Sequence, residues 1–361
     1  MSLKIENFSN ILWIIVVNRL IGVVCIYVVG SILFSSIGDS GEYSRGLWSG
    51  NLWETLTFST QFIHFISYIT GGGWTSQAVF TIFSIIGIWY PLKRVHETRD
   101  FNLVIYSLYL PTILMWTSPI GKEVITVLSL GILLGCWCDY MSDKKFSLIL
   151  FLFALYLLIL FKPQYLIPIV GSIIVYKTPL AGMRRVPTLG LLIITVIAVV
   201  FILYFWETLN QLFLSFGMYF DPSARMTRGT IWINDGDFLA KMPIGIWLSV
   251  FGFSPLELIK SFNFLNLLSF LESVVTCMIV ARLMRFGRWK GLVKPYVVSL
   301  VIILLFLVVH YPYGSLNPGS AARYRSGFLP FIITFLYSFP VLMAKSRPLK
   351  MKILQPISYN K

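Results

Sequence analysis

Gly38-Asp39-Ser40-Gly41-Glu42-Tyr43-Ser44-Arg45 packs two carboxylates, a tyrosine and an arginine into eight residues, directly after an apolar run from Ile11 to Phe34. Asp39 and Glu42 are three apart, so on a helical turn both carboxylates project to one side. At a membrane face such a carboxylate can act as general base toward a hydroxyl, or bind a divalent cation. A solvated carboxylate marking the end of a span gives the same pattern.

Three further groups could carry chemistry. Lys122 and Glu123 follow Ser118-Pro119-Ile120-Gly121 and open an apolar run. Ser118, Lys122 and the free amides of the following helix make an anion site, although capping and snorkelling explain the pair equally well. Lys162 sits beside Pro163 between two apolar runs, where an ionisable side chain is a functional candidate or a snorkelling one. Arg323 and Arg325 stand one residue apart before the last apolar run, and guanidinium forks suit phosphate oxygens. Pairing with Asp235 or Asp237 is the competing explanation. Arg225 and Arg228 add basic groups to a long polar segment. Arg19 and Asn18 fall inside the first apolar run, where a buried arginine needs a partner that the sequence does not name.

The elements that must position these residues are membrane spans. The chain is 57% hydrophobic and 12% charged, about half the charge of a soluble domain. This composition indicates an all-α polytopic protein forming a single integral membrane domain over residues 1–361. Ten spans are expected, at 11–34, 76–92, 101–117, 123–140, 146–162, 164–180, 188–206, 264–283, 295–312 and 327–344. Several lie near the lower limit of about 17 residues for crossing a bilayer. The +14 net charge does not indicate nucleic acid, because the charges flank spans rather than forming one basic domain. Alternate loops hold 19 of the 29 basic residues, which places both termini in the cytoplasm. The opposite face then carries residues 35–75, 118–122, 207–263 and 313–326. The stretches 52–70 and 244–259 read as interfacial. Cys25, Cys136, Cys138 and Cys277 all lie in apolar runs and read as packing residues. His64, His96 and His310 show no zinc spacing.

Taken in order, these motifs resemble GT-C superfamily membrane glycosyltransferases, and in particular a bacterial branch encoded among surface-polysaccharide genes. The loop Gly38-Asp39-Ser40-x-x-Tyr43 looks like their first outer loop. Pro111-x-x-x-x-Trp116-x-Ser118-x-x-x-Lys122-Glu123 is similar to that branch's proline, serine and Lys-Asp/Glu pattern. Lys162-Pro163-Gln164-Tyr165 resembles its Arg-Pro-aromatic junction, with lysine in place of the commoner arginine. Phe253-Ser254-Pro255-Leu256 through Glu272 resembles its interfacial segment and following span. Arg323-Tyr324-Arg325-x-x-x-x-Pro330 is similar to its terminal motif.

The resemblance implies a multi-pass enzyme of the bacterial inner membrane. Its donor would be a polyprenyl-phosphate or pyrophosphate-linked sugar, and its acceptor a glycan or lipid-linked glycan at the outer face. Asp39 or Glu42 becomes the candidate catalytic base. Arg323, Arg325, Lys122, Lys162, Tyr43, Arg225 and Arg228 become substrate- and phosphate-binding candidates, with outer segments 35–75 and 207–263 holding substrate. A divalent metal such as Mg or Mn is compatible with this chemistry but not required by the sequence. A repeat-unit polymerase of the O-antigen type would use the same donor class. A lipid-linked oligosaccharide flippase or other transporter would instead need ionisable groups near the bilayer midplane.

Overall fold

The computed structural model describes residues 8–33, 43, 45, 58–95, 100–177, 188–219, 228, 231–260, 264–285 and 293–353. Among these residues every regular element is a helix, with no strand. In chain order they are α1 (Phe8–Leu33), α2 (Phe58–Ile69), α3 (Gly73–Leu92), α4 (Phe101–Ser107), α5 (Pro111–Thr117), α6 (Lys122–Met141), α7 (Leu148–Phe161), a 3-10 turn (Pro163–Tyr165) and α8 (Leu166–Lys177). There follow α9 (Thr188–Tyr204), α10 (Trp206–Tyr219), α11 (Asp237–Ala240), α12 (Met242–Phe251), α13 (Pro255–Lys260), α14 (Phe264–Leu283), α15 (Val293–Leu316) and α16 (Pro318–Ile353).

Among the described residues six helices, α1, α3, α6, α14, α15 and α16, are long and apolar enough to cross a membrane, or seven if bent α9 and α10 count as one. The expected helical membrane architecture is thus present, and these residues account for six or seven of the ten expected spans. Helix α7 is apolar but has 14 residues, short of the roughly 17 that a crossing needs. The expected span 101–117 is two short helices, α4 and α5. Pro111 opens α5, and Leu110 before it is extended at φ −61°, ψ 130°. A proline disfavours helical geometry in the preceding residue, and that ends α4. The expected loop 313–326 is mostly helical, because α15 runs to Leu316 and α16 begins at Pro318.

Helices α6 and α16 form the centre, with nearly every side chain of their apolar stretches buried. Around them the apolar surface faces outward. On α1, Val17, Leu20 and Val24 are exposed at 47%, 53% and 59%, while Asn18 and Arg19 are fully buried. That inverted distribution suits a bilayer, which solvates leucine and valine and excludes arginine. Lipid supplies no hydrophobic force between helices, so close packing of small residues takes its place. Gly87 of α3 and Gly131 of α6 meet backbone to backbone, and a Cβ on Gly131 would fall on the Gly87 carbonyl.

Where the segment between α9 and α14 meets α15, Trp232 and Phe238 of the segment and Tyr311 and Leu316 of α15 form a second, smaller core. The Trp232 indole donates to the Tyr311 hydroxyl at 2.7 Å, and that hydroxyl donates to the Phe238 carbonyl at 3.1 Å. The described part of the long polar segment around Trp232 and Phe238 is thereby docked on α15.

Candidate functional site

Helix α6 is held at both ends by arginines from other elements. At its N-terminal turn Glu123, 3% exposed, accepts from Arg323 Nε of α16 at 2.9 Å. At its C-terminal end Asp139 accepts from Arg94 through both carboxylate oxygens, at 2.7 and 2.5 Å. Arg94 also lies over the Tyr90 ring at 3.9 Å. A bidentate guanidinium–carboxylate pair fixes orientation as well as charge. Arg94 is one of the basic residues counted toward the expected sidedness, and it has this specific partner besides.

The Glu123 end gathers much of the chemistry. The Arg323 guanidinium lies 5.4 Å from the centre of the Trp116 ring. Lys162, buried at the break between α7 and the 3-10 turn, places its Nζ 3.7 Å over the Tyr324 ring. Lys162 lies within electrostatic reach of Glu123, Arg323 and Lys122. Tyr165 donates to the Tyr324 carbonyl at 3.4 Å, and Tyr313 meets the Tyr324 ring edge-on at 5.3 Å. Three cations, one carboxylate and a wall of aromatic rings thus come from α5, α6, the Lys162 junction, α15 and α16. Such an arrangement can hold an anion against stacked rings.

Arg325 does not join it. Positions two apart on a helix lie about 200° apart around the axis, so Arg323 and Arg325 face opposite sides of α16. The expectation of two arginines clamping one phosphate is corrected on that ground. Arg325 is 4% exposed and donates to the Val250 carbonyl and to Ser273, while its Nε and Nη2 find no acceptor among the described residues. Its neighbourhood holds Glu272 and His310. Glu272 accepts from the Thr112 amide at 2.9 Å and from the Thr112 hydroxyl, capping the first turn of α5. His310 contacts the Ser249 carbonyl through Nε2 at 3.1 Å. Glu272 is the only carboxylate in its apolar helix, and an ionisable group inside a span is the signal that could have singled it out.

Arg228 is committed to the protein. It grips Glu257 at 2.6 and 2.9 Å and donates to the carbonyls of Ser315 at 2.8 Å and Gly252 at 2.7 Å. Its role as a phosphate ligand gives way to tying the α12–α13 corner to the end of α15. Burial pushes the Glu257 carboxyl up, but the Arg228 fork and the Ser254 amide outweigh it and leave the carboxyl below its ordinary value. Asp237 is held at about 2 by the Asn234 and Ile233 amides and by Lys241. Asp237 therefore pairs with Lys241 at 2.9 Å, not with Arg323.

Tyr43 is buried, its carbonyl accepting from Ser67 at 2.6 Å and its ring edge-on to His64. Asp39, Glu42, Arg225 and His96 lie outside the described residues. Arg19 now has named partners: Asn18, Thr117 and the Leu108 carbonyl, the last at 3.2 Å. It joins α1 to the break between α4 and α5. The four cysteines are free thiols.

Compared with known families, curated proteins and solved structures, the chain matches no family model, no curated protein and no solved structure.

Proposed function

We propose that this chain is a membrane glycosyltransferase that uses a polyprenyl-phosphate or pyrophosphate-linked sugar in building a surface polysaccharide. The observation that carries the reading is the meeting of Lys162 and Arg323 at the Glu123 end of α6, lined by Trp116, Tyr313 and Tyr324. In such a transfer a hydroxyl attacks an anomeric carbon and a phosphate leaves. The protein must stabilise charge that grows on the leaving oxygen. Arg323 and Lys162 supply that stabilisation, and the Glu123 pair fixes the guanidinium in place. The aromatic rings give a sugar flat apolar faces to rest on. Asp39 or Glu42 supplies the base that takes the acceptor proton, which one inverting displacement requires. Metal is an addition to this scheme rather than a part of it.

A transporter reading also has a specific observation behind it. Glu272, Arg325 and His310 are buried within the bundle, so the ionisable groups are not confined to the rim. Intramembrane ionisable groups mark translocation paths as readily as enzyme sites.

Complementation of a strain lacking this chain separates the readings. With Asp39→Asn or Lys162→Met at normal protein level, the reading expects short lipid-linked glycan to accumulate at the outer face. Loss of one added sugar marks a transferase, and loss of the long ladder marks a repeat-unit polymerase. Accumulation at the cytoplasmic face would sink the enzyme reading in favour of a flippase.

A further inference from the structure

The molecule holds a cavity of about 460 Å³ that the proposed chemistry does not use. It lies among α6, α7, α8, α15 and α16, toward the end of α6 opposite Glu123. Trp137, Tyr140, Phe146, Phe151, Leu155 and Ile173 are among its lining residues, and almost all of its surface is apolar. The volume falls within the range of about 300–1,000 Å³ typical of small-molecule sites. From Leu133 to Tyr140, both in its wall, α6 rises about 10 Å. That is within the roughly 15 Å depth of one leaflet.

One polar feature accompanies it. Lys144 and Lys145 are exposed and directly precede Phe146 at the cavity's edge. From the sequence, this end faces the cytoplasm, where anionic lipids attract basic residues.

We infer that this cavity is a binding site for an anionic phospholipid of the adjoining leaflet. One acyl chain fills the space between α6, α7 and α8, and the phosphate lies at Lys144 and Lys145. The headgroup is at the opposite end of α6 from Lys162 and Arg323, so this lipid is distinct from the proposed donor and the inference does not depend on that reading.

The test is photolabelling of the purified full chain in lipid nanodiscs. Phosphatidylglycerol and phosphatidylcholine carry the same diazirine acyl chain, and a polyprenyl phosphate with a diazirine tail is the third probe. Expected is selective phosphatidylglycerol labelling of the α6 and α8 peptides. Lys144→Ser with Lys145→Ser should lower that selectivity by about fivefold per lysine. Leu155→Trp, which fills the cavity from the bilayer side, should abolish the labelling by either phospholipid. Both variants must elute as the parent protein does on size exclusion. Equal labelling by the two phospholipids, or labelling unmoved by either variant, would overturn the site. So would labelling of these peptides by the polyprenyl probe alone, which would give the cavity to the donor's tail.

Discussion

Arg323 and Glu123, 200 positions apart, form an ion pair with a buried carboxylate that ties the first turns of α16 to the first turn of α6. These are the two most enclosed helices of the chain, so this pair connects the packing of the bundle to the geometry of the candidate site. Glu123 is buried and Arg323 only partly so, and removing the arginine costs at most about 3–5 kcal/mol, because the carboxylate is left without compensation. Arg323→Ala should therefore lower thermal stability in detergent as well as any activity. Arg323→Lys keeps the charge and should recover most of the stability. A double-mutant cycle of Glu123→Gln with Arg323→Gln checks this; additive losses would show that the two residues do not interact.

Arg19 should act on the α4–α5 break rather than on chemistry. Replacing it with alanine takes this donor from the Thr117 hydroxyl and from the Asn18 side-chain oxygen, while the Leu108 carbonyl keeps the Asn18 amide at 3.1 Å. Each buried group left unmade costs about 1–3 kcal/mol. The expected result for Arg19→Ala is a clearly lowered unfolding midpoint, with Thr117→Val less affected. Unchanged unfolding of both variants would remove this role.

The contact of Gly87 with Gly131 gives a steric prediction. A methyl group at 131 meets a backbone carbonyl that no rotamer change can move aside. Overpacking of this kind costs about 1–3 kcal/mol or more. Gly131→Ala should lower the folded yield and the unfolding midpoint, whereas an exposed substitution such as Ile149→Ala should not.

Glu257 gives a pH dependence with a defined sign. Its carboxyl lies below its ordinary value in the fold, so its pairing with Arg228 contributes fully above about pH 4.3, the unfolded value. The contribution fades as pH falls further, through the lowered folded value. Glu257 is partly exposed, so solvent screening keeps the effect small and local. Protease cleavage between residues 207 and 263 should rise only below about pH 4.3 in the parent protein, and at every pH in Arg228→Gln.

Some of this was legible in the sequence and some was not, for physical reasons. Lys122, Glu123, Lys162 and Arg323 stood out because ionisable residues at the ends of apolar runs are costly to place, and the fold gathers all four. The divergence of Arg323 from Arg325 was not legible. It follows from α16 starting at Pro318 rather than at 327, and in a loop the two arginines could have pointed together. The hydrogen-bond partners of Arg19 lie as much as 98 residues away, and no local pattern announces them. Pro111 is visible in the sequence, but the break it makes is hidden by the apolar residues on either side: one apolar run folds as two helices whose broken end is held by Arg19 and Glu272. The basic residues of the polar segment looked like free ligands because sequence shows charge and not commitment, and Arg228 proved to be a structural tie.

The most direct test of the central claim uses the purified chain in detergent, where no sealed compartment exists for transport. A polyprenyl-phosphate or pyrophosphate-linked sugar is supplied with a glycan acceptor, and release of polyprenyl phosphate or pyrophosphate is measured together with the elongated glycan. The account expects coupled release and transfer. Loss of one electrostatic contact to a developing charge typically costs about 10²–10³-fold in rate, and Lys162→Met should show a loss of that order while eluting as a folded protein. Transfer that is absent with the parent protein across a panel of such donors, or equal in Lys162→Met, would contradict it.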